Sequence, residues 1–475
     1  MTTSYNTITP GIIQELQQIS GERYVVSGDP EQLERYGHDE IPGTKYAHTP
    51  DVVVKPGTTE EIAAIMQLAN REQIPVTPRG AGSGLSGGAV PIYGGILLSI
   101  ERLNKVVELD KANMTITVEA GMITSQINEL LEEHNLFYAG YPMSLETCYI
   151  GGNVAENAGG GKAIKYGVTD RYVQGMEVVL PTGEIVQLGG KRVKDVTGYD
   201  LLHLMVGSEG TLGVFTNITL KLLPLPKAKV DLLVLFETID EAMDMVPVIM
   251  TDTGIIPTAI EFMDKLSVQT TCQYLNEHLP YKKAGAMLLI EIDGADEAQV
   301  ELQYETIGEA CLKQGAIEVY VGDNYTTQER VWSVRRNIAE AFKVDCPVQS
   351  IEDIVVPFAQ IPQLTRDVER LSEKYGVLIP TYGHAGDGNL HSTPVKPPEM
   401  SMEAWNEMLP NLLAELYECT AKLGGTISGE HGIGSKRKKF MPLVMQSELI
   451  DLQKRLKLVF DPNNILNPGK IFPDA

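Results

Sequence analysis

Cysteine is scarce in this 475-residue sequence, and its five cysteines lie far apart, with no Cys-x-x-Cys pair. That spacing argues against a disulfide framework and an iron–sulfur cluster, and it is typical of a protein from a reducing compartment. The sequence also lacks a run of about eighteen apolar residues, and its first residues lack a basic stretch followed by an apolar core. We therefore expect a cytoplasmic protein without a membrane span.

Positive charge is also in short supply. The sequence has 39 lysines and arginines against 63 aspartates and glutamates, which gives a formal net charge of −24. Such a charge repels phosphate backbones and anionic membrane surfaces, so nucleic acid is not expected as a partner. An anionic substrate would also be repelled at long range, and it would need a local cationic or metal centre. The length predicts two or three domains.

Two prolines one residue apart at positions 224 and 226 mark the best candidate domain boundary, because proline interrupts both helices and strands. Before this boundary the pattern predicts a mixed α+β half, with a helix opened by a capping box from Thr58 to Glu61. After it, the pattern predicts the order β-α-β-β-α-β, which is a split βαβ unit. The predicted strands cover residues 230–236, 258–263, 287–292 and 317–321, and the predicted helices cover 239–250 and 296–314.

Two glycine-rich segments near the C-terminus, at 384–391 and 428–432, hold three of the eight histidines and a carboxylate. Glycines disfavour a helix in the first segment, and on one strand its two histidines would point to opposite faces. We therefore predict a loop that curls around a shared centre. His384, His391 and Glu430 form a ligand set that suits divalent zinc, iron or manganese. His431 is then left as a base.

The alternative for these segments is an exposed, turn-rich loop with no ligand. Asp387 and Asn389 fit that alternative best, because Asp-Gly and Gly-Asn are ordinary turn dipeptides whose short side chains bond their own backbone. For these two residues we predict turn formation and not metal ligation.

Three further glycine-rich segments precede the proline boundary, at residues 78–88, 150–161 and 206–214. The first matches the G-x-G-x-x-G dinucleotide fingerprint, but the glycines and Pro91 that follow cannot propagate the helix that a Rossmann turn requires. Its consecutive N–H groups can instead form a concave site for a diphosphate, with a close-packed turn as the alternative. Three such segments together predict one extended ligand that lies along the backbone.

These motifs, taken in order, resemble one family. Flavoproteins of the vanillyl-alcohol oxidase type, and more narrowly their D-lactate/glycolate/2-hydroxyglutarate dehydrogenase branch, carry matching segments in the order 78–86, 151–160, 195–202, 207–213, 261–264, the two histidine segments and 462–470. The resemblance implies an α+β fold with a two-part FAD-binding domain followed by a ferredoxin-like α+β cap domain. It implies an N-terminal helical segment at 1–44, the FAD-binding domain at 45–226, the substrate-binding cap at 227–440, and a C-terminal segment at 441–475 that returns to the flavin.

The resemblance also implies roles for matching positions. His384, His391 and Glu430 match metal ligands, His431 matches a catalytic base, and Arg335 matches an arginine that binds the substrate carboxylate. On the residues alone, Arg335 reads as a solvated helix charge. The implied FAD contacts are Pro78, Gly80, Ala81, Gly82, Ser83, Gly84, Leu85, Ser86, Gly151, Gly152, Asn153, Asn157, Gly159, Gly160, Gly207, Glu209, Gly210 and Gly213, with Asn467 near the flavin edge.

The implied activity is FAD- and metal-dependent oxidation of a D-2-hydroxy acid to the 2-oxo acid, with electrons passed to a protein acceptor such as electron-transfer flavoprotein. Residues 79–88 lack the histidine that attaches flavin in some relatives, so noncovalent FAD is expected, with Cys148 as the alternative attachment point. Ala339 and Thr393 depart from the 2-hydroxyglutarate pattern, which argues against that substrate. D-lactate is the favoured substrate. Glycolate and D-2-hydroxyglutarate are the alternative substrates. A noncatalytic flavin-binding subunit and a metal-dependent hydrolase are the alternatives from other classes.

Overall fold

The computed structural model describes residues 5–474. The chain forms two compact units. The first unit contains the residues up to 159, residues 168–224 and the residues from 430 onward, and the second unit contains residues 160–167 and 225–429. The change at 224/225 falls in the proline stretch. The predicted four-segment scheme, with bounds at 44, 226 and 440, stays a prediction.

The first unit contains two main sheets. A four-stranded sheet has the order Val25–Val26, Val52–Val54, Ile96–Ser99 and Val76–Arg79, with the last three strands parallel. A five-stranded antiparallel sheet has the order Val106–Asp110, Thr115–Glu119, Val214–Lys221, Val173–Val179 and Ile185–Gly189, and Leu136–Phe137 pairs with Leu223–Pro224. The α-helices of this unit are Pro10–Ser20, Pro30–Glu34, Thr59–Glu72, Thr124–Glu132, Ile150–Glu156, Leu201–Met205 and Ser447–Phe460.

The helix Thr59–Glu72 begins where the sequence predicts, but its N-terminus is not a full capping box. The Thr58 hydroxyl accepts the Glu61 N–H at 3.2 Å, as expected. The Glu61 carboxylate, however, accepts the N–H of Gly57 at 2.9 Å and lies 3.7 Å from Arg102. The nearby cation draws the carboxylate away from the Thr58 backbone, so half of the predicted box is wrong.

The second unit is built on one seven-stranded antiparallel sheet. Its order is Glu318–Gly322, Ala228–Phe236, Ala286–Gly294, Ala259–Asp264, Thr381–His384, Asn389–Ser392 and Glu352–Val355. The first four strands have the order 4-1-3-2 expected of a split βαβ unit, so the ferredoxin-like prediction is confirmed. The α-helices are Ala163–Tyr166, Ile239–Thr253, Lys265–Leu275, Glu297–Lys313, Tyr325–Arg336, Ile338–Asp345, Ile361–Tyr375 and Met402–Lys422.

The helix Lys265–Leu275 was not predicted. Asp264 caps it by accepting the Ser267 N–H at 2.7 Å. Its buried positions include Ser267 and Thr271 as well as Val268 and Cys272, so polar residues interrupt the apolar spacing that would reveal a helix. Among the described residues, no helix is both long and apolar enough to cross a bilayer.

Candidate active site

His384 and His391 lie on the two strands of a β-hairpin and not in a loop. In the register of Thr381–His384 with Asn389–Ser392, Tyr382 is opposite His391 and His384 is opposite Asn389. Residues opposite each other on antiparallel strands share a face, and so do residues two apart on one strand. His391, opposite Tyr382, therefore lies on the same face as His384, although the two histidines are seven residues apart in the sequence. The two imidazole centroids are 5.4 Å apart in an edge-to-face arrangement. The predicted loop is therefore wrong, although the two histidines do lie together.

The two turn predictions have different outcomes. The Asp387 carboxylate accepts the Asn389 N–H at 3.2 Å, as a turn-forming aspartate does. The Asn389 side chain is buried and donates to Asp353 Oδ1 at 2.8 Å and to the carbonyl of Ile354 at 3.1 Å. The turn prediction for Asn389 is wrong, because the strand pairing turns its amide into the sheet face that carries the histidines.

Glu261 joins this face from the neighbouring strand Ala259–Asp264, where it is opposite His384. Its Oε1 lies 2.6 Å from His384 Nδ1, and its Oε2 accepts Arg335 Nε at 2.7 Å. Burial acts to raise the pKa of Glu261, but Arg335 and then His384 lower it below its usual value. No role is predicted for Glu261 from the sequence beyond its place in the motif at 261–264.

Arg335 lies on the buried side of the helix Tyr325–Arg336 and is only 4% exposed, so the reading as a solvated charge is wrong. Its guanidinium carbon is 5.2 Å from the centroid of the Tyr382 ring. Its Nη2 is buried and has no hydrogen-bond partner among the described residues. A buried donor without a partner is costly, so this group is suited to an anionic ligand.

Asp353 is a further carboxylate on the same face, from the strand Glu352–Val355 opposite His391. Its Oδ1 is 3.9 Å from His391 Nδ1, and its Oδ2 accepts the Ser428 hydroxyl and the Gly429 N–H at 2.8 and 2.9 Å. The sequence reasoning missed it. Two imidazoles beside buried carboxylates form a donor set that fits a divalent metal.

Glu430 and His431 follow Gly429 directly in the chain and are counted with the first unit. Glu430 Oε1 lies 3.8 Å from His431 Nε2, and both side chains are mostly buried. The Glu209 carboxylate fixes the segment that follows, because its two oxygens accept the N–H groups of Ile433 and Gly434 at 2.7 and 2.6 Å.

The segment 160–167 packs on the polar sheet face within the second unit. A side chain at Gly161 would come within 2.3 Å of Glu261 Oε1 and 3.5 Å of His384 Nδ1, so only glycine allows this approach. Lys162 lies 3.2 Å from Glu291, and Lys165 lies 2.5 Å from Asp293. Gly160, which was expected to contact FAD, belongs to this segment.

In the first unit the three glycine-rich segments converge. A side chain at Gly80 would lie 3.7 Å from the Cα atom of Gly152. The N–H of Gly207 donates to Val154 at 2.9 Å, and Asn467 Nδ2 donates to the carbonyls of Gly88 and Glu209 at 3.0 and 2.9 Å. These contacts bring backbone from distant parts of the sequence to one place.

Open space borders part of this backbone. Added side chains at Gly84 and Gly152 would meet no atom within 4 Å, so a ligand has room beside both residues. Gly82, Gly207 and Gly210 have positive φ angles of 76, 76 and 63°, which favour glycine. The convergence and the open space fit the extended ligand that the sequence predicts.

Other residues in these segments serve the protein itself. A side chain at Gly151 would collide with Ala120 at 2.8 Å, and one at Gly213 would collide with Val178 at 2.3 Å. The Asn153 amide donates to Thr124 at 2.8 Å, and Asn157 Oδ1 accepts the Asp170 N–H at 2.9 Å. Close packing therefore explains some of the glycine content without a ligand.

Two protein families match the chain. Residues 50–189 match the FAD binding domain, and residues 225–471 match the C-terminal domain of FAD linked oxidases. The class of protein is therefore an FAD-dependent oxidoreductase. The fold agrees: the solved structure of p-cresol methylhydroxylase superposes with a TM-score of 0.80 at 20% identity, covering 99% of this chain and 98% of that one. The predicted vanillyl-alcohol oxidase-type fold is confirmed.

Curated relatives extend over nearly the whole chain. The glycolate oxidase subunit GlcD of Bacillus subtilis is 39% identical, over 98% of this chain and 97% of its own length. D-lactate dehydrogenase of Anaerostipes hadrus is 38% identical over 98% of each chain, and D-2-hydroxyglutarate dehydrogenase of Xanthomonas citri is 32% identical over 94% and 93%. The chain belongs to this family of FAD-linked oxidoreductases, as the motifs predict.

Proposed function

We propose that the protein oxidises a D-2-hydroxy acid, with D-lactate favoured, to the corresponding 2-oxo acid. The observation that carries this proposal is the buried face on which Arg335, with an unpartnered donor, shares Glu261 with His384. An arginine beside a metal-type ligand set is suited to a small acid that carries a hydroxyl group next to its carboxylate. When bound, FAD would supply the hydride acceptor, and a divalent metal would supply Lewis acidity at the hydroxyl.

Each remaining role in the reaction is assigned to particular residues of the chain. Arg335 Nη2 holds the substrate carboxylate by a charge-assisted hydrogen bond and limits the orientation of C2. His431 takes the hydroxyl proton as a general base. His384, His391 and Glu430 would hold the metal. The hairpin supports this ligand set by presenting both imidazoles on one buried face, and Asp353 is an additional candidate ligand.

We infer that FAD is bound noncovalently along the converging backbone of the first unit. Gly80 to Ser86, Gly151 to Gly159 and Gly207 to Gly213 supply the contacts there, with Asn467 near the flavin edge. Gly160, in the second unit, is the remaining proposed contact. The open space at Gly84 and Gly152 supports this placement. Cys148 is a poor attachment point, because burial raises the pKa of its thiol and its sulfur hydrogen-bonds to Thr124 at 3.4 Å.

A protein is the proposed electron acceptor, with electron-transfer flavoprotein favoured. No Cys-x-x-Cys pair or supported nicotinamide fingerprint occurs in the sequence, so the chain has no obvious second redox centre of its own. The relative from Bacillus subtilis is named as a glycolate oxidase subunit. That name supports glycolate as the second candidate substrate. It also supports a role for this chain as one subunit of a complex with other protein chains.

Anaerobic flavin bleaching tests the proposal. The purified protein is mixed without oxygen with D-lactate, L-lactate, glycolate and D-2-hydroxyglutarate, and the flavin absorbance is followed. We expect D-lactate to bleach the flavin fastest and L-lactate to leave it oxidised. Faster bleaching by glycolate or D-2-hydroxyglutarate would replace the proposed substrate. Bound flavin that no 2-hydroxy acid bleaches would support a noncatalytic subunit, and a colourless protein would favour a hydrolase.

A further inference from the structure

The polar face of the second unit carries two buried glutamates with two cationic or imidazole partners each. Glu261 lies between His384 and Arg335, and Glu291 lies between Lys162 and Lys229 at 3.2 and 2.7 Å. Both carboxylates are almost fully shielded from solvent. Only the partners of Glu261 have proposed roles in the reaction, so the two glutamates form a natural matched pair.

We propose that Glu261 is a positioning residue that orients His384 toward a metal and Arg335 toward the substrate carboxylate at the same time. This inference rests on the proposed function and adds to it. It assigns one buried carboxylate to both halves of substrate recognition, the half that binds the hydroxyl group and the half that binds the acid.

The histidine half follows from the hydrogen bond at Nδ1. A carboxylate accepts, so the imidazole nitrogen 2.6 Å away carries the proton. In the neutral ring the lone pair then lies on Nε2, which is the form that ligates a metal. Metal-binding histidines characteristically donate their other N–H to a carboxylate or carbonyl in this way. Glu261 therefore selects the tautomer of His384 and fixes the plane of its ring.

The arginine half follows from the second oxygen of the same carboxylate. Glu261 Oε2 accepts Arg335 Nε at 2.7 Å, and Tyr382 lies against the guanidinium. These contacts fix the plane of the guanidinium, while Nη2 keeps its unpartnered donor. One rigid carboxylate therefore sets the separation between the proposed metal ligand and the proposed carboxylate donor. That separation must match a 2-hydroxy acid, whose hydroxyl and carboxylate are on adjacent carbons.

Gly161 adds an independent constraint. Its missing side chain allows backbone to approach within a distance at which Glu261 Oε1 would collide with a Cβ atom at 2.3 Å. This oxygen cannot give way easily, because the carboxylate is held on its other side by Arg335. The local backbone thus keeps Glu261 from swinging away from its two partners.

The test compares Glu261→Gln with Glu291→Gln in full-length protein loaded with FAD and then with zinc or manganese. Metal affinity is measured from metal content after dialysis against graded chelator. Binding of the 2-oxo acid pyruvate is measured in metal-free protein by the change in the flavin spectrum. We expect Glu261→Gln to weaken metal binding by about 10–100-fold and to weaken pyruvate binding at least severalfold. FAD content and the thermal midpoint report folding for both variants.

The control Glu291→Gln removes an equally buried carboxylate, so it should lower the thermal midpoint without changing metal or pyruvate binding. Equal losses in the two variants, or normal binding of both ligands by Glu261→Gln, would overturn the inference and leave the proposed function intact. A wild-type protein that holds no metal would overturn the proposed metal centre and the His384 half of the inference. The pyruvate measurements would still decide the Arg335 half.

Discussion

The two units offer a ligand different kinds of chemistry. In the first unit, backbone from three glycine-rich segments and Asn467 converges beside open space at Gly84 and Gly152. In the second unit, several buried ionisable side chains lie on one face of the sheet, where Glu261 contacts both His384 and Arg335. Backbone N–H and C=O groups are neutral, so many of them can line a site for a large cofactor without an oppositely charged partner for each. Buried charges suit reactive chemistry, but removing one partner leaves the other exposed to a large desolvation penalty.

The largest expected effect is loss of turnover from the polar face. His384→Ala and His391→Ala should each lower kcat/KM by at least about 100-fold, since even substitutions behind metal ligands typically cost 10–100-fold. The flavin spectrum should be unchanged, because the proposed FAD contacts lie in other segments. Steady-state kinetics with D-lactate and the absorbance of bound flavin check this.

His278→Ala is the matched control, because His278 is exposed and lies outside the sheet. Its turnover should be that of the wild type. Near-normal turnover in both His384→Ala and His391→Ala would contradict the proposed metal centre. Loss of flavin from either variant would contradict the proposal that FAD binding depends on the first unit and not on these two histidines.

The second effect concerns the first unit. Gly152→Leu places a side chain in open space, so the fold should tolerate it, while FAD loses the room it needs. Overlap of this kind costs about 1–3 kcal/mol, which corresponds to about a 5- to 150-fold loss in FAD affinity. Fluorescence titration of the apoprotein with FAD measures it. Gly11→Leu, also within a helix, is the control and should bind FAD normally. Unchanged FAD affinity in Gly152→Leu would place the cofactor elsewhere.

The difference between backbone-based and side-chain-based sites also explains which features could be predicted from the sequence. Glycine segments act through backbone that is local in sequence, so composition and order predicted them. The relation of His384 to Glu261 depends on strand register between positions 123 residues apart, and no periodicity reports that register. The place of Asp353 and Asn389 on this face was not predicted for the same reason. Arg335 was found only through the resemblance, because burial of one face of its helix follows from tertiary packing.

A third effect is a dependence of stability on pH. Burial, and next the neighbouring Glu291, raise the pKa of Asp231 from 3.8 to about 7. The folded protein therefore holds the Asp231 proton more tightly than the unfolded chain does. This difference in proton affinity stabilises the folded protein at low pH, and the stabilisation is lost as the pH rises to about 7. Asp231→Asn should match the wild type below about pH 4 and gain stability from there to about pH 7.

We expect the gain to be about 1–2 kcal/mol, because one pKa unit corresponds to about 1.4 kcal/mol and the network shared with Glu291 absorbs part of the shift. Urea unfolding at a series of pH values measures it. Asp244→Asn makes the same change in net charge at an exposed site, so its stability should show no such trend. A gain that does not vary with pH would mean that Asp231 is ionised in the folded protein.

The smallest expected effect concerns a buried carboxylate in the first unit, that of Glu209. Both oxygens of Glu209 accept backbone N–H groups at 433 and 434, just after His431. Glu209→Gln turns one acceptor into a donor and leaves one N–H without its partner, which costs about 1–3 kcal/mol, offset in part by removal of a buried charge. Because both carboxylate oxygens accept N–H groups of this segment, the proposed FAD contact at Glu209 would come from its backbone. We therefore expect FAD affinity within about twofold of wild type and turnover reduced severalfold. FAD titration and steady-state kinetics on the same sample separate the two readouts. A large loss of FAD affinity with normal turnover of the remaining holoenzyme would mean that the Glu209 side chain, and not only its backbone, contacts FAD.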